Sequence, residues 1–531
     1  MTNSEKNKSH ADNAGKHAKH SNGRAKQSGS RSSNHSGSRS GSHSGDRSGS
    51  RSGDRSGGVN MRELALETLF LISRDGKQSH LVIRDVLEKY AYLPARDKAF
   101  YMRLVEGTIE YRLRLDYIIN YFSKTRTSKM KPVIREILRM GVYQIVYMDS
   151  VPDSAAVNES VRLAVKKSFS GLRGFVNGVL RSVSAKLFEV KYPVPEEDFP
   201  KYLEVAYSMP QYLSAKWIAE YGREKTEEIC ASFLKERPLT VRFRNDGQAR
   251  KAAEELPDDG HEHPYRDELD STVTAEILKE LTDNDVFAAG AAYVKNAWNL
   301  AGMRDPQGFE AFREGKIVVQ DVSSQLAVRA AGIKAGDRVL DLCAAPGGKS
   351  LLAADLLCGR GEVVSRDLTP FKMELIRQNI ERCHAELIRP ECFDATVRDE
   401  ESVEAFDVVI ADVPCSGYGV IGRKPDIKYR ADEENQRALV DLQRQILTNA
   451  AAYVKPGGTL LFSTCTIGKA ENADTVDWLL RNFPLTGVEL APLLPEELKD
   501  DAEGCMLQLL PGVHPCDGFF FARFRKNGEN A

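Results

Sequence analysis

Two cysteines, a carboxylate and a lysine are the residues of this chain whose types and spacing best suit chemistry. Cys415 sits in Asp412-Val413-Pro414-Cys415-Ser416-Gly417 and Cys465 in Ser463-Thr464-Cys465-Thr466, each just past a short apolar run. A lone cysteine is usually an inert, buried small hydrophobe. Two at adjacent strand ends, beside Asp412 and Lys349, suggest thiol chemistry instead. That chemistry has a physical logic. Carbon 5 of cytosine is a poor nucleophile. Adding a thiolate at carbon 6 makes carbon 5 enamine-like and able to take a methyl group from a sulfonium donor. An acid near N3 stabilises the adduct, and a base removes the carbon 5 proton so that the thiolate leaves. One carboxylate and two cysteines meet these needs.

A second constellation is Asp341-Leu342-Cys343-Ala344-Ala345-Pro346-Gly347-Gly348-Lys349-Ser350. Here an apolar run ends and a small-residue loop opens a helix. Gly347 and Gly348 let the backbone approach a ligand, and the helix start offers unpaired N–H groups. Gly348-Lys349-Ser350 is also the tail of a phosphate-binding loop, but the first glycine of that motif falls at Cys343 and Pro346 interrupts the cradle. Acidic residues then recur past successive apolar runs: Asp367, Asp394 and Asp412. A carboxylate at the second strand end suits the two hydroxyls of a ribose, and another can accept from an adenine amino group. Any one of these acids is commonly a helix cap or a solvated loop residue; three in series is harder to explain that way.

The elements that must position these groups are legible as runs. RVLDLC (338–343), GEVVSRD (361–367), FDVVIADV (406–413) and GTLLFSTC (458–465) read as short, near-continuous apolar strands. Helical stretches at 348–358, 369–383, 433–453 and 470–482 separate them. Strands alternating with helices predict an α/β fold with a doubly wound parallel sheet and ligands at the strand C-terminal ends.

Ahead of that part, 61–187 carries helical blocks at 61–73, 79–90, 96–122, 131–147, 153–167 and 171–187, which predict an all-α domain. Tyr111, Arg112, Arg114, Tyr117 and Tyr121 interleave basic and aromatic side chains, which suits a nucleic-acid face, although an aromatic stripe at helical spacing is more often core. Between the two, 191–312 reads as a small α+β insert, with a helical pattern at 209–235 and an alternating strand at 238–244. His261 and His263 in its acidic loop are ordinary surface histidines sooner than metal ligands. Residues 1–58 are a Ser/Gly/Arg/His-rich run, expected to be a disordered tail whose arginines could touch RNA or simply solvate. The expected boundaries are 1–58, 59–190, 191–312 and 313–527.

The net charge of −2 hides an asymmetry: +7 over 1–58, +9 over 61–187 and −18 over the rest. A basic front hints at a polyanionic partner. No run approaches the roughly 18 apolar residues of a membrane helix, and no secretory signal opens the chain. Nine cysteines without a C-x-x-C pair or zinc spacing argue against a disulfide framework or a structural metal.

DLCAAPGGKS, DVPCSGYGVIGRKPDI and FSTCT resemble the motifs of the RNA cytosine-C5 methyltransferases, the Sun/Fmu and NSUN-type family. QDVSSQLAV (320–328) and DGFFFARFRK (517–526) resemble the segment before the cofactor loop and the closing strand there. The resemblance implies a class I, Rossmann-like methyltransferase domain over 313–527. It implies that S-adenosyl-L-methionine is held by Cys343, Ala344, Ala345, Pro346, Gly347, Gly348 and Lys349 with Asp367, Asp394 and Asp412. It further implies that Cys465 is the nucleophile, that Cys415 helps release product, and that Asp412 also activates the cytosine. DNA cytosine methyltransferases attack with the Pro-Cys cysteine instead, so a chain with both cysteines points to RNA. The blocks at 95–122, 137–164 and 174–181 resemble the NusB-like RNA-binding domain, and 207–222 with 237–245 resembles the RNA-recognition insert of bacterial enzymes acting on 16S ribosomal RNA. Together these imply a monomeric, cytoplasmic enzyme acting on 16S ribosomal RNA, with no metal and no membrane partner. Residues 1–58 match neither pattern, and Lys424 occupies a place that varies. The same chemistry on another RNA such as tRNA, a non-catalytic RNA-binding or antitermination factor, and an RNA-dependent ATPase are the rival readings.

Overall fold

The computed structural model describes residues 59–244, 271–303 and 305–528. The expectations for the 1–58 tail and for His261 and His263 lie outside the described residues. Among those residues no helix is long and apolar enough to cross a membrane.

The front is helical, as its periodicity requires. Helix α1 (Met61–Asp75) starts where the Asn60 side chain accepts from the Glu63 N–H at 3.0 Å and stops at Gly76 in a left-handed turn. It is followed by α2 (Ser79–Lys89), α3 (Ala95–Glu110), α4 (Arg112–Phe122), α5 (Pro132–Tyr147), α6 (Asp153–Lys166) and α7 (Arg173–Lys186). Their apolar stripes meet in one core that includes Leu66, Leu104, Ile118, Leu138, Val142 and Leu180. The block expected as one helix over 96–122 is two helices, because Tyr111 leaves helical geometry and stacks on Tyr147 with ring centroids 4.2 Å apart.

The basic and aromatic stripe on α4 is partly covered by the chain's own later segments, with Tyr121 still 44% exposed. Tyr117 stacks on Tyr192 and donates to the Lys191 carbonyl, and Tyr121 donates to that of Glu189. Arg114 lies over the Tyr192 ring, and Arg112 lies over Tyr429 of the catalytic part. Helical period identifies a face; it does not say what covers it.

The segment over 191–312 splits in two. Helix α8 (Phe199–Ala206) and helix α9 (Gln211–Ser232), the latter bent at Gly222, bury Leu203, Leu213 and Trp217 against Tyr418, Ile421 and Ile467 of the catalytic part. Then β1 (Leu239–Phe243), α10 (Ser271–Asp283), β2 (Phe287–Gly290), β3 (Ala297–Ala301), the single turn α11 (Glu310–Arg313) and β4 (Ile317–Val319) follow, with the four strands in the antiparallel order β2-β3-β1-β4. Strand β4 pairs with β1, so the boundary expected at 313 falls too early. A three-residue apolar strand carries no signal of which sheet it joins.

Past α12 (Val322–Ala330) the main sheet assembles from β5 (Arg338–Asp341), β6 (Glu362–Asp367), β7 (Ile388–Cys392), β8 (Phe406–Asp412), β9 (Val454–Thr464), β10 (Leu485–Gly487), β11 (Ala502–Glu503), β12 (Met506–Leu509) and β13 (Phe519–Lys526). Helices α13 (Gly348–Leu356), α14 (Pro370–Arg382), α15 (Glu433–Tyr453) and α16 (Ala473–Asn482) connect the strands. Strands β7-β6-β5-β8-β9 are parallel, and β13 closes antiparallel on β9. Both faces are covered, which is why Val339, Leu340, Val363, Val364, Val409 and Ile410 are all buried and the strands read as continuous apolar runs. Winding runs outward from β5 to β7 and returns at β8, so the switch point lies between β5 and β8, where ligands of such sheets bind.

Candidate active site

Cys415, Cys465, Lys349 and the acids Asp367, Asp394 and Asp412 are carried at or just past the C-terminal ends of β5 to β9. After Asp341 the chain turns through Leu342 to Gly347 and enters α13. Gly347 holds the turn at φ +104°, a left-handed position that strains a residue with a Cβ. The loop is knitted to the next strand: Asp367 accepts from the Ala345 N–H at 3.0 Å and from the Leu368 N–H at 2.7 Å, and Lys372 pairs with it at 2.9 Å. Asp394 accepts from the Thr396 N–H at 2.9 Å and hydroxyl at 2.7 Å, which holds its carboxyl below the usual range. Lys349, first turn of α13, pairs with Asp412 at 2.6 Å, and Ser463 donates to the other Asp412 oxygen at 2.8 Å. Burial opposes the Lys349 charge, but Asp412 overrides it and holds the ammonium above its usual value.

Because β8 and β9 are neighbours in register, with Asp412 opposite Ser463, the segments that follow them emerge side by side. Cys415 and Cys465 accordingly come to 3.3 Å, sulfur to sulfur, and both remain partly accessible. The two thiols are not equivalent. The contact with Cys415, with Lys424 and Lys349 nearby, pulls Cys465 below the ordinary thiol value against burial and the Asp412 charge. The same contact, the low-dielectric surroundings and the nearby Glu471 and Asp412 push Cys415 well up.

The loop 417–430 closes over these groups. A Cβ on Gly419 would lie 1.9 Å from the Gly518 carbonyl, so only glycine lets this loop meet the start of β13. Arg423 bonds Asp517 at 2.6 Å and approaches Asp321 at 3.5 Å, while Arg237 reaches Asp517 from the linker at 2.5 Å. Farther along, Lys428 donates to the Glu110 carbonyl and Tyr429 to that of Ile109, each at 2.8 Å, so the helical front holds the far end of the loop. Burial pulls the Lys428 ammonium down to about 8.

Two buried carboxylates have roles that sequence reasoning missed. Asp341 accepts from the Ser350 hydroxyl at 2.7 Å, but its second oxygen has no partner among the described residues. Burial pushes it up to about 7. Glu471 binds the Cys415 segment. Asp341 lies inside the quoted loop motif and could have been weighed from its place at the end of β5; nothing local marks Glu471. The raised Asp341 value has a consequence for stability. A carboxyl near 3.9 when unfolded and near 7 when folded stabilises the fold fully below pH 4 and loses that contribution as pH rises through 7. Asp341→Asn abolishes that dependence, so the difference in unfolding free energy between pH 5 and pH 8, read from urea titrations, shrinks by on the order of a few kcal/mol. An unchanged difference overturns the assignment.

The donor set fits an S-adenosyl sulfonium cofactor. An orphaned acceptor lies on Asp341, a glycine turn opens the α13 N-terminus, and acids follow at the ends of β6 and β7. Comparison with known proteins agrees with this geometry. The family model described as 16S rRNA methyltransferase RsmB/F matches residues 330–525, and the NusB family model matches 59–185. The chain is 33% identical over 476 residues to the probable ribosomal RNA small subunit methyltransferase B of Bacillus subtilis (strain 168), covering 88% of this chain and 99% of that one. It is 27% identical over 471 residues to the ribosomal RNA small subunit methyltransferase B of Vibrio vulnificus (strain YJ016), covering 87% and 99%. The crystal structure of PH0851 superposes with a TM-score of 0.69 at 25% identity, covering 88% of this chain and 99% of that one.

Proposed function

Since the chain belongs to the RsmB/F family of ribosomal RNA methyltransferases, we propose that it methylates carbon 5 of one cytosine in 16S ribosomal RNA, with Cys465 as nucleophile. The cofactor is S-adenosyl-L-methionine, which supplies an electrophilic methyl group when bound. One observation carries the reading: two cysteines 3.3 Å apart at neighbouring strand ends, beside the Lys349–Asp412 pair.

In this mechanism the Cys465 thiolate adds to carbon 6 of the cytosine and makes carbon 5 nucleophilic. The proton needed at N3 is managed by Asp412 with Lys349 on its second oxygen. After methylation a base takes the proton from carbon 5, the carbon 6–sulfur bond breaks, and its electron pair returns to Cys465. Cys415, 3.3 Å from that sulfur, stabilises the departing thiolate with its S–H. Cys343 to Lys349 with Asp367 and Asp394 hold the cofactor, and the helical front and the β1–β4 insert hold RNA.

Bisulfite sequencing of small-subunit ribosomal RNA from a deletion strain is the test. One cytosine protected in the parent becomes convertible in the deletion. Loss of protection in tRNA alone would move the substrate while keeping the chemistry, and no change in any RNA sinks the reading. The cofactor site has its own test. Asp367→Ala costs about 1.5–3 kcal/mol, roughly 10- to 150-fold in S-adenosylmethionine affinity by calorimetry. Because Asp367 also anchors the Ala345 and Leu368 N–H groups, Asp367→Asn recovers part of that loss.

A further inference from the structure

Glu471 is a buried carboxylate with no work assigned to it. It lies six residues past Cys465, in the turn before α16, and is 0% exposed. Four donors surround it. The Ser416 N–H reaches one oxygen at 2.8 Å and the Gln443 amide reaches the same oxygen at 3.2 Å. The Ser416 hydroxyl reaches the other at 2.6 Å, and the Gln436 amide at 3.3 Å. Gln443 also donates to the Pro414 carbonyl at 2.9 Å, and Thr466 touches the Ser416 hydroxyl at 2.7 Å. The residues on both sides of Cys415 are thereby fixed from one carboxylate and one amide.

What these contacts lack is a cation. Among the described residues no lysine, arginine or histidine forms an ion pair with Glu471, although burying an uncompensated carboxylate is costly. The buried charge is bonded to Ser416, the residue that follows Cys415, so its field falls on that thiol. The charged groups around the thiol pair are Lys349 and Lys424 toward Cys465, Asp412 toward both, and Glu471 toward Cys415. Tyr418, also beside Glu471, is buried and stays neutral because its phenol is pushed up.

We propose that Glu471 is a positioning residue of the reaction: it fixes the Cys415 segment and keeps the shared proton on Cys415, leaving Cys465 as the attacking sulfur. The inference rests on the reading of Cys465 as nucleophile. Glu471 acts through Cys415, whose thiol stabilises Cys465 as it departs.

The test is iodoacetamide alkylation of the full chain from about pH 6 to 10, on either side of a free thiol's value near 8.5. Cys415 and Cys465 are followed separately by peptide mass spectrometry. In the parent protein, Cys465 reacts at lower pH than Cys415. In Glu471→Gln that preference falls by about tenfold or more, the equivalent of one pH unit, and kcat falls while KM for S-adenosylmethionine holds. Glu471→Asp, which keeps the charge, keeps the preference. Ser416→Ala loses the hydroxyl half of the tether, keeps the backbone N–H bond and leaves the charge in place, so it lowers kcat with both profiles unmoved; it decides the matter should Glu471→Gln fold poorly. Unmoved profiles in Glu471→Gln, a shift in Glu471→Asp as large as in Glu471→Gln, a moved profile in Ser416→Ala, or Cys415 as the low-pH thiol of the parent each overturn the proposal. The nucleophile reading fails by a different result, methyl transfer to RNA by Cys465→Ala.

Discussion

Cys415→Ala accumulates a covalent protein–RNA species that Cys465→Ser never forms. The difference follows from which sulfur attacks and which assists departure. In Cys465→Ser a hydroxyl that is barely ionised near neutral pH replaces a thiolate, so no adduct at carbon 6 forms. Methyl transfer should drop by at least about 10³-fold, about 4 kcal/mol of transition-state stabilisation or more. In Cys415→Ala the attacking sulfur and its cations, Lys349 and Lys424, are intact. Attack and methylation proceed, elimination stalls, and a slow band appears on a denaturing gel when RNA and cofactor are both present. Two thiols that merely filled space would behave otherwise: both variants would lose stability and neither would trap RNA. Trapping by the Cys465 variant alone would be the arrangement of the DNA enzymes, and it would remove the argument for an RNA substrate together with the assignment of roles.

Where the sequence is readable, the reason is that burial imposes local pattern. A strand covered on both faces is apolar at every position, so β5, β6 and β8 stand out and their last residues mark the crevice. Parallel order then brings Asp412 opposite Ser463, and the segments carrying Cys415 and Cys465 follow from that register. Contacts made across long stretches of chain have no such local pattern. The Glu471–Ser416 contact spans 55 positions and Asp426–Ser79 spans 347. The stripe at Tyr111, Arg112 and Tyr117 shows the same limit from the other side. Its composition suits an RNA face, yet the linker and Tyr429 cover part of it, because composition cannot distinguish a surface that binds RNA from one that binds the rest of its own chain. The short strand β4 fails for want of length: three apolar residues next to an α/β segment are equally compatible with either sheet.

Asp426→Ala is expected to loosen the helical front from the catalytic loop and to slow methyl transfer without touching a reacting atom. Helix α2 begins without a cap of its own, since the Gln78 side chain makes no capping bond. Asp426 supplies the missing cap from the catalytic loop: it accepts from the Ser79 N–H at 3.3 Å and from the Ser79 hydroxyl, and it pairs with Arg430 at 2.6 Å. A carboxylate at a helix start satisfies an orphan N–H and meets the positive end of the dipole. The Arg430 pair contributes little of this, because that side chain is 39% exposed and screened. The buried bonds to Ser79 carry the effect, so the variant loses about 2–3 kcal/mol, the range for hydrogen bonds to a charged acceptor. Helix α2 should fray first, seen as lost amide protection over 79–89. Arg84 on that helix lies over the Phe371 ring at 5.2 Å, four residues past Asp367, so fraying also reaches the cofactor acid and weakens S-adenosylmethionine binding. A double-mutant cycle with Ser79→Ala isolates the contact. A coupling of about 1 kcal/mol or more is expected for one shared interaction, whereas strictly additive losses would show that the two residues act apart and that the loop does not cap the helix.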